Sequence, residues 1–214
     1  MTLRIQRVAT LFNPADGELA SLGAHFDRHH WIRLPGLIDG PLLQAVQSGI
    51  AAASFIEVRH EHVRPPSVDV CMEPNVVSGM LELLCNDPVV LRALEVLTGC
   101  APLSRYNGFV YRLLPAAGHH HNWHDDLVSE RRLAMSVNID AAPYEGGTLQ
   151  IRDRESGRIL EEVTNAGAGD AVVFRLDAAL QHRVTPVTQG VKTAFAGWFR
   201  SSPTLRAALR EGRV

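Results

Sequence analysis

The sequence predicts a mainly β protein with supporting helices, whose strands build a sandwich or jelly roll. Short strand-like segments follow one another through the second half of the chain, separated by Gly-, Pro- and Asp-bearing turns. They lie at 103–114, 133–140, 147–152, 158–163, 170–175, 182–187 and 191–199. Several short strands at this spacing are typical of sandwiches and jelly rolls, whereas helical periodicity is concentrated in the first half.

Length and composition favour one domain. A chain of 214 residues that is 46% hydrophobic can bury a substantial core. We therefore expect a single domain over 1–214, in which 1–100 form a mostly helical support layer and 101–200 form the jelly-roll core.

The first hundred residues carry the helix signals. A strand is expected at Leu3–Val8, and a helix from Pro41 with apolar residues at helical spacing. Two further helices are expected, one over Val76–Cys85 and one that begins at Asp87-Pro88 and closes at Gly99. A short C-terminal helix is expected at 204–210, on the surface of the domain.

The stretch 60–75 is the least regular part of the chain. Three prolines and scattered polar residues predict a long loop, and loops of this length in a compact domain are often functional. A lid over the active site is the favoured interpretation. A second metal site that uses His60 and His62 is the alternative.

Charge and cysteine content exclude several classes of protein. The net charge of −2 gives no reason to expect nucleic acid or an anionic membrane as a partner. No apolar run approaches the roughly 20 residues of a membrane span, and the N-terminus lacks the apolar region of a signal peptide. Three widely spaced cysteines favour free thiols and a reducing, cytoplasmic location.

The stretch 119–126 (HHHNWHDD) carries the strongest chemical signal. It holds four of the ten histidines of the chain, and within it His124 and Asp126 form an H-x-D triplet. Residues two apart on an extended backbone point to the same face, so this imidazole and carboxylate can converge on one ion. His182 offers a third ligand. Two histidines and one carboxylate with open positions are expected of a non-haem Fe(II) oxygenase.

Four ordered motifs extend this signal. They are His124-x-Asp126, the run 144–149 (YEGGTL), the run 167–174 (GAGDAVVF), and the run from His182 through Pro186 and Gly190 to Lys192. Together they resemble the Fe(II)/2-oxoglutarate-dependent dioxygenases, most closely the prolyl-4-hydroxylase and phytanoyl-CoA-hydroxylase branches. The resemblance covers roughly 104–200, and a weaker similarity extends over 26–50.

The resemblance implies a double-stranded β-helix, a cupin-like jelly roll, that brings the H-x-D pair and the distal histidine together from different sheets. It implies Fe(II) and 2-oxoglutarate as cofactors, with Lys192 on the far carboxylate of 2-oxoglutarate. Asn138 stands where relatives carry a hydroxyl partner for that cation, and Tyr111 resembles a tyrosine near the iron. Trp123, His121 and Trp198 are candidate substrate contacts.

The strand at 133–140 predicts how the barrel is lined. Its apolar positions, from Leu133 to Ile139, should pack against the helices. Its small and polar positions, Ala134, Ser136, Asn138 and Asp140, should face the interior and leave room for a slim dicarboxylate.

The resulting functional hypothesis is a 2-oxoglutarate-dependent dioxygenase that hydroxylates a small molecule and consumes O2. Asp126 favours hydroxylation or desaturation, since halogenating relatives carry a small residue there. Three alternatives stay open: a cupin-like metal enzyme without 2-oxoglutarate, a hydroxylase of a protein or peptide residue, and a binding module without catalysis. The sequence leaves open the substrate, the oligomeric state and the role of 119–121.

Overall fold

The computed structural model of the chain describes residues 3–61, 66–116, 118–128, 130–140, 142–164 and 167–201. Within these ranges the chain forms four helices, all in the first hundred residues. They are α1 (Glu18–His29), α2 (Gly40–Ala51), α3 (Val76–Cys85) and α4 (Pro88–Thr98).

Fifteen strands complete the described structure. The first five are β1 (Leu3–Ile5), β2 (Thr10–Phe12), β3 (Trp31–Leu34), β4 (Phe55–His60) and β5 (Ser67–Met72). The next five are β6 (Arg105–Leu113), β7 (His121–His124), β8 (Arg131–Asn138), β9 (Glu145–Gly146) and β10 (Leu149–Asp153). The last five are β11 (Ile159–Val163), β12 (Ala171–Arg175), β13 (Leu180–Val184), β14 (Val187–Gln189) and β15 (Lys192–Arg200).

Two antiparallel sheets form the jelly roll. The larger sheet has seven strands in the order β3-β12-β8-β15-β6-β5-β4, and the smaller has four in the order β11-β10-β13-β7. The pairs β1–β2 and β14–β9 form two further short ribbons. The double-stranded β-helix predicted from the sequence is confirmed. Within the described residues, no helix is both long and apolar enough to span a bilayer.

The helix boundaries follow from local capping chemistry. Asp39 accepts a hydrogen bond from the backbone N–H of Leu42 at the start of α2. Asn75 and Ser78 form a reciprocal capping box at the start of α3. Gly99 closes α4 in the left-handed conformation, with φ of 63°. The predicted limits of α3 are those of the structure.

The main apolar core lies between the helices and the outer face of the larger sheet. On β8, Leu133, Met135 and Val137 belong to this core, as predicted. Ala134 packs in a second cluster on the inner face, and Ser136 lines the cavity between the sheets. Because side chains alternate along a strand, β8 separates the structural core from the cavity.

Two predictions about the first hundred residues need correction. Residues 67–72 form β5 and not a loop, and β5 pairs with both β4 and β6 in the larger sheet. The first hundred residues therefore supply three strands, β3, β4 and β5, to the sheet that carries the core. Part of the proposed lid, 62–65, and the helix expected at 204–210 lie outside the described residues.

Candidate active site

A cavity of about 440 Å³ lies between the two sheets. Its walls are mainly apolar, with polar side chains gathered at a few places. The apolar lining includes Phe109, Leu149, Val163, Val172, Phe174, Val184 and Ala196. The polar lining includes His60, Asp69, Tyr111, His121, His124, Asp126, Arg131, Ser136, His182 and Lys192. A concave, largely apolar site with a few convergent polar groups is typical of a binding site for a small molecule.

His124, Asp126 and His182 meet at one point of the cavity wall. Oδ2 of Asp126 lies 3.5 Å from Nε2 of His124 and 3.4 Å from Nε2 of His182. One ligand atom from each residue lies within 4.8 Å of the others, and no other trio of potential ligands in the described residues meets this criterion. The sequence therefore identified the three residues that the fold brings together.

The two histidines come from neighbouring strands of the smaller sheet. His124 on β7 is the direct cross-strand partner of His182 on β13, and their rings are 4.2 Å apart. The expectation that they come from different sheets is wrong, because β7 returns to pair with β13. Residues of opposite strands in register place their side chains on one face.

Asp126 reaches the histidines from a loop and not from the strand. β7 ends at His124, and Asp126 has a left-handed backbone with φ of 57°. Such a conformation costs of order 1 kcal/mol or more for a residue other than glycine, and it clusters at functional sites. His124 and Asp126 therefore converge as predicted, but through a loop and not through the same-face geometry of an extended segment.

The Asp126 carboxylate is held from the larger sheet. Trp198 on β15 donates its indole N–H to Oδ2 at 2.6 Å, and Arg131 on β8 donates to Oδ1 at 3.3 Å. The Arg131 guanidinium also stacks on the Trp198 ring at 3.6 Å. Burial opposes ionisation of Asp126, but hydrogen bonds with His124 and His182 outweigh it, so the pKa of Asp126 lies well below its usual value. The carboxylate is therefore ionised and oriented.

The imidazoles suit a metal ligand role. Nδ1 of His124 donates to the backbone carbonyl of Asn122 at 2.6 Å, which leaves the Nε2 lone pair on the side of Asp126. Burial lowers the pKa of His182 to about 4, a stronger effect than its hydrogen bond to Asp126. The hydrogen bond and charge of Asp126 raise the pKa of His124 against the effect of burial, so a metal that binds there would displace any proton held on the imidazole. Two imidazole nitrogens and an ionised carboxylate on one side, with the cavity on the other, fit a divalent iron with open positions.

Lys192 lines the same cavity from the first position of β15. Its side chain is 4% exposed, and Nζ donates to the carbonyl of Gly147 at 2.5 Å. Gly147 has φ of 59°, and a Cβ there would meet the lysine chain at 2.9 Å, so glycine is required beside it. Burial lowers the pKa of Lys192 to about 8. A buried cation in an apolar cavity is a natural partner for an anionic ligand.

The polar lining from β6 and β8 differs from the prediction in one residue. Tyr111 is buried on β6, lines the cavity and interacts with Ser136, while burial raises the pKa of its hydroxyl. Asn138, predicted beside Lys192, is not among the lining residues; its amide donates to the backbone carbonyls of Asp140 and Gly167. Ser136, two residues earlier on the same face of β8, takes the cavity position.

Of the three candidate substrate contacts, two line the cavity and one does not. His121 and Trp198 line the cavity. Trp123 does not line it, and the guanidinium groups of Arg152 and Arg183 lie over its ring at 4.3 and 4.6 Å. The pairing of β7 with β13 contains an irregularity: three residue steps from His121 to His124 face two on β13. This extra residue allows both histidines to face the cavity while Trp123 turns outward.

The other histidines of 119–121 have structural partners. His119 is buried, and its Nδ1 accepts the backbone N–H of Leu114 at 3.4 Å. The His120 Nε2 lies 3.1 Å from the amide oxygen of Asn122. Within the described residues, neither belongs to the cluster of His124, Asp126 and His182 that could hold a metal ion.

A second polar cluster, which the sequence interpretation missed, lies on the β5 side of the cavity. Asp69 is 3% exposed and accepts hydrogen bonds from His121 at 2.8 Å and from His60 at 3.0 Å. His60 did stand out in the sequence, but the carboxylate that holds it was assigned to a loop. The alternation of polar and apolar residues over 67–72 was the available signal.

Comparison with known proteins agrees with this geometry. Residues 107–200 match the family model described as the 2OG-Fe(II) oxygenase superfamily. Over 80 residues the chain is 39% identical to a PKHD-type hydroxylase of Maricaulis maris, an alignment that spans 36% of this chain and 34% of that protein. The chain thus covers about a third of the length of this relative.

Solved structures share the fold at low identity. A 2OG-Fe(II) oxygenase family oxidoreductase from Burkholderia pseudomallei superimposes with a TM-score of 0.68 at 16% identity, over 93% of this chain and 96% of that one. A Pseudomonas putida prolyl-4-hydroxylase gives 0.62 at 17% identity, over 86% and 100% of the two chains.

The matched segment, 107–200, contains His124, Asp126 and His182 together with Lys192. The family model and the two-histidine, one-carboxylate cluster therefore agree on one region of the chain. Residues 107–200 are thus similar to the 2OG-Fe(II) oxygenase superfamily, whose members use Fe(II) and 2-oxoglutarate.

Proposed function

We propose that the protein is an Fe(II)- and 2-oxoglutarate-dependent dioxygenase that hydroxylates an unactivated C–H bond of a small molecule. In this reaction, substrate, O2 and 2-oxoglutarate give the hydroxylated product, succinate and CO2. The observation that carries the proposal is that His124, Asp126 and His182 converge in a cavity that also contains the buried Lys192.

In this proposal the three clustered residues hold Fe(II), and Lys192 holds the far carboxylate of 2-oxoglutarate. Bound iron and 2-oxoglutarate supply O2 activation coupled to oxidative decarboxylation of the keto acid. The chain does the rest. Trp198 and Arg131 fix the orientation of the Asp126 carboxylate, and the Asn122 carbonyl fixes the ring of His124.

The apolar walls serve the reaction by limiting water. Val172 and Phe174 on β12 face Leu149 and Val184 on the smaller sheet, all of them lining the cavity. A dry surrounding strengthens the pairing of Lys192 with a carboxylate and protects reactive species from side reactions. It also positions an apolar part of the substrate next to the metal ligands.

Cavity size supports a small-molecule substrate. A volume of about 440 Å³ falls within the range of roughly 300–1,000 Å³ that is usual for such sites. A peptide substrate is the second candidate. A structural neighbour at 12% identity, with a TM-score of 0.63, is a prolyl hydroxylase from Trichoplax adhaerens in complex with a peptide fragment of hypoxia inducible factor.

Succinate release tests the proposal and separates the alternatives. The purified protein with Fe(II), 2-oxoglutarate and O2 is screened against a panel of small molecules and a panel of proline-containing peptides. Stimulation by small molecules is expected, and stimulation by peptides alone would move the assignment to the second candidate. Turnover that requires iron but neither consumes 2-oxoglutarate nor releases succinate would favour the cupin-like alternative.

A further inference from the structure

The strand β4 lies at one edge of the larger sheet. Within the part of the chain that the structure describes, β4 pairs with β5 on one side and with no strand on the other. Its second residue, Ile56, is an apolar side chain that is 50% exposed. The open edge of a strand presents backbone N–H and C=O groups that can pair with a further strand. This edge is therefore a surface to which another strand can be added.

The backbone groups that point out of this edge can be identified. The N–H of Glu73 donates to the carbonyl of Ser54 at 2.9 Å, and these two residues continue the β4–β5 register by one step. Residues that exchange hydrogen bonds with the neighbouring strand alternate along an antiparallel pair. The even-numbered residues of β4 therefore direct their backbone groups towards β5. The odd-numbered residues, Phe55, Glu57 and Arg59, direct theirs away from the sheet.

Two opposite charges stand at these outward positions. Glu57 and Arg59 are both exposed. Arg59 contacts Glu61 at 2.9 Å, but its side chain stays 60% exposed, and a guanidinium has five N–H donors, so it can accept a second carboxylate. If two copies of the strand pair antiparallel about Val58, Glu57 of each copy lies opposite Arg59 of the other. Opposite charges that face each other across two strands stabilise the pair.

Charge and hydrogen bonding together select this register among those centred on the middle of the strand. Outward residues of one copy must face outward residues of the other for their backbone groups to bond. A pair centred on Glu57 would oppose two carboxylates, and a pair centred on Arg59 would oppose two guanidinium groups, and both arrangements are destabilising. The register centred on Val58 meets the bonding condition with opposite charges.

We propose that two copies of the chain associate through their β4 edges, as a two-fold antiparallel pair centred on Val58. The two larger sheets then form one continuous sheet. Ile56 of each copy is covered by the strand of the other, where it lies opposite His60. Because His60 lines the cavity, the second copy borders the active site.

Sedimentation velocity of the purified full chain, over a series of micromolar concentrations, tests the association. We expect a species of twice the 23.5 kDa of one chain. Glu57→Arg and Arg59→Glu should each raise the concentration for half-association by roughly tenfold or more, because each makes both symmetry-related charge pairs repulsive. The protein that carries both substitutions should associate to within about threefold of the parent. Glu155→Lys, which reverses an exposed charge in the turn after β10, should leave association unchanged.

Cysteine cross-linking tests the register. Val58 lies opposite its own counterpart in a non-hydrogen-bonded pair, where the Cα atoms are about 4.5 Å apart and a disulfide can form. Val58→Cys should therefore give a covalent dimer with oxidised glutathione, seen on non-reducing electrophoresis, and the parent sets the background. Ile56→Cys is the matched control, because Ile56 is well exposed but lies four residues, or roughly 13 Å, along the strand from its own counterpart. It should cross-link at the background level.

Three results would overturn the inference. The first is a parent protein that sediments as a single chain at all concentrations. The second is a dimer that persists in Glu57→Arg but is lost in Leu83→Ser, a substitution on the exposed face of α3. The third is faster cross-linking of Ile56→Cys than of Val58→Cys. Neither measurement needs iron, 2-oxoglutarate or substrate, so the outcome is independent of the proposed function.

Discussion

Trp198 donates its indole N–H to Oδ2 of Asp126 over 2.6 Å, across 72 residues of sequence. This bond ties the larger sheet to the loop after β7, so the two sheets jointly fix the carboxylate that faces His124 and His182. Groups that orient a metal ligand in this way commonly contribute tenfold to a hundredfold to metal affinity.

Trp198→Phe should therefore weaken Fe(II) binding by about tenfold to a hundredfold, because Asp126 loses a donor while the aromatic packing is kept. Trp123→Phe is the matched control, since that ring stacks with Arg152 and Arg183 and does not line the cavity. Anaerobic Fe(II) titration of both variants checks the prediction. Equal losses in the two variants would mean that Trp198 acts through general packing.

Replacing His124, Asp126 or His182 by Ala should abolish tight Fe(II) binding and succinate release while the domain stays folded. His29→Ala is the control, because His29 pairs with Glu161 and is not one of the clustered ligands. Circular dichroism, thermal unfolding and Fe(II) titration are the measurements. A His182→Ala protein that binds iron as tightly as the parent would show that the trio is not the metal site.

Lys192 should destabilise the ligand-free protein at neutral pH. The pKa of Lys192 is about 8 in the folded protein, and its reference value, taken for the unfolded chain, is 10.5. Between pH 8 and pH 10.5 the unfolded chain therefore holds a proton that the folded chain lacks. The free energy of unfolding should rise with pH across this window, by about 3 kcal/mol from this residue. Below pH 8 both states are charged and the cost is fully present.

Lys192→Met removes this cost and should be more stable than the parent at pH 7, with the difference shrinking towards pH 10. Urea unfolding of both proteins at the two pH values measures it. A variant that is less stable than the parent at pH 7 would contradict the burial of a charged lysine.

Ser136 and Asn138 should separate cofactor binding from stability. Ser136→Ala should weaken 2-oxoglutarate binding several-fold, because Ser136 lines the cavity and contacts Tyr111. Asn138→Ala should leave that affinity unchanged but cost about 1–3 kcal/mol of stability, because two backbone carbonyls lose a buried donor. Calorimetry measures 2-oxoglutarate binding, and urea unfolding measures stability. Weaker binding in Asn138→Ala, together with a loss of stability in Ser136→Ala, would place Asn138 and not Ser136 in the cofactor site.

Residues whose roles follow from local pattern were predicted from the sequence. The helix α3 has its capping residues and apolar periodicity within its own segment. In β8, apolar residues alternate with small or polar ones, which indicates the two faces of the strand. The convergence of His124, Asp126 and His182 was predicted because these residues sit in ordered motifs, and the spacing of those motifs reflects the strand order of the fold.

Residues whose roles depend on distant partners were not predicted. Asp69 lies in a segment rich in prolines, and its importance comes from His121, which is 52 residues away. The outward turn of Trp123 depends on the irregular pairing of β7 with β13, and regular alternation cannot reveal such a bulge. Asn138 shares a face with Ser136, but its amide donates to the backbone carbonyl of Gly167, which is 29 residues away in the sequence.

The most direct test of the central claim is an anaerobic titration of 2-oxoglutarate into the Fe(II) protein, followed by the metal-to-ligand absorption band. The parent should form the band, and Lys192→Ala should raise the titration midpoint by roughly two to three powers of ten, because the bound carboxylate loses its buried cation. Lys192→Arg should be intermediate, since a guanidinium keeps the charge but needs more room beside Gly147. The absence of the band in the parent, or an unchanged midpoint in Lys192→Ala with Fe(II) affinity intact, would contradict the assignment.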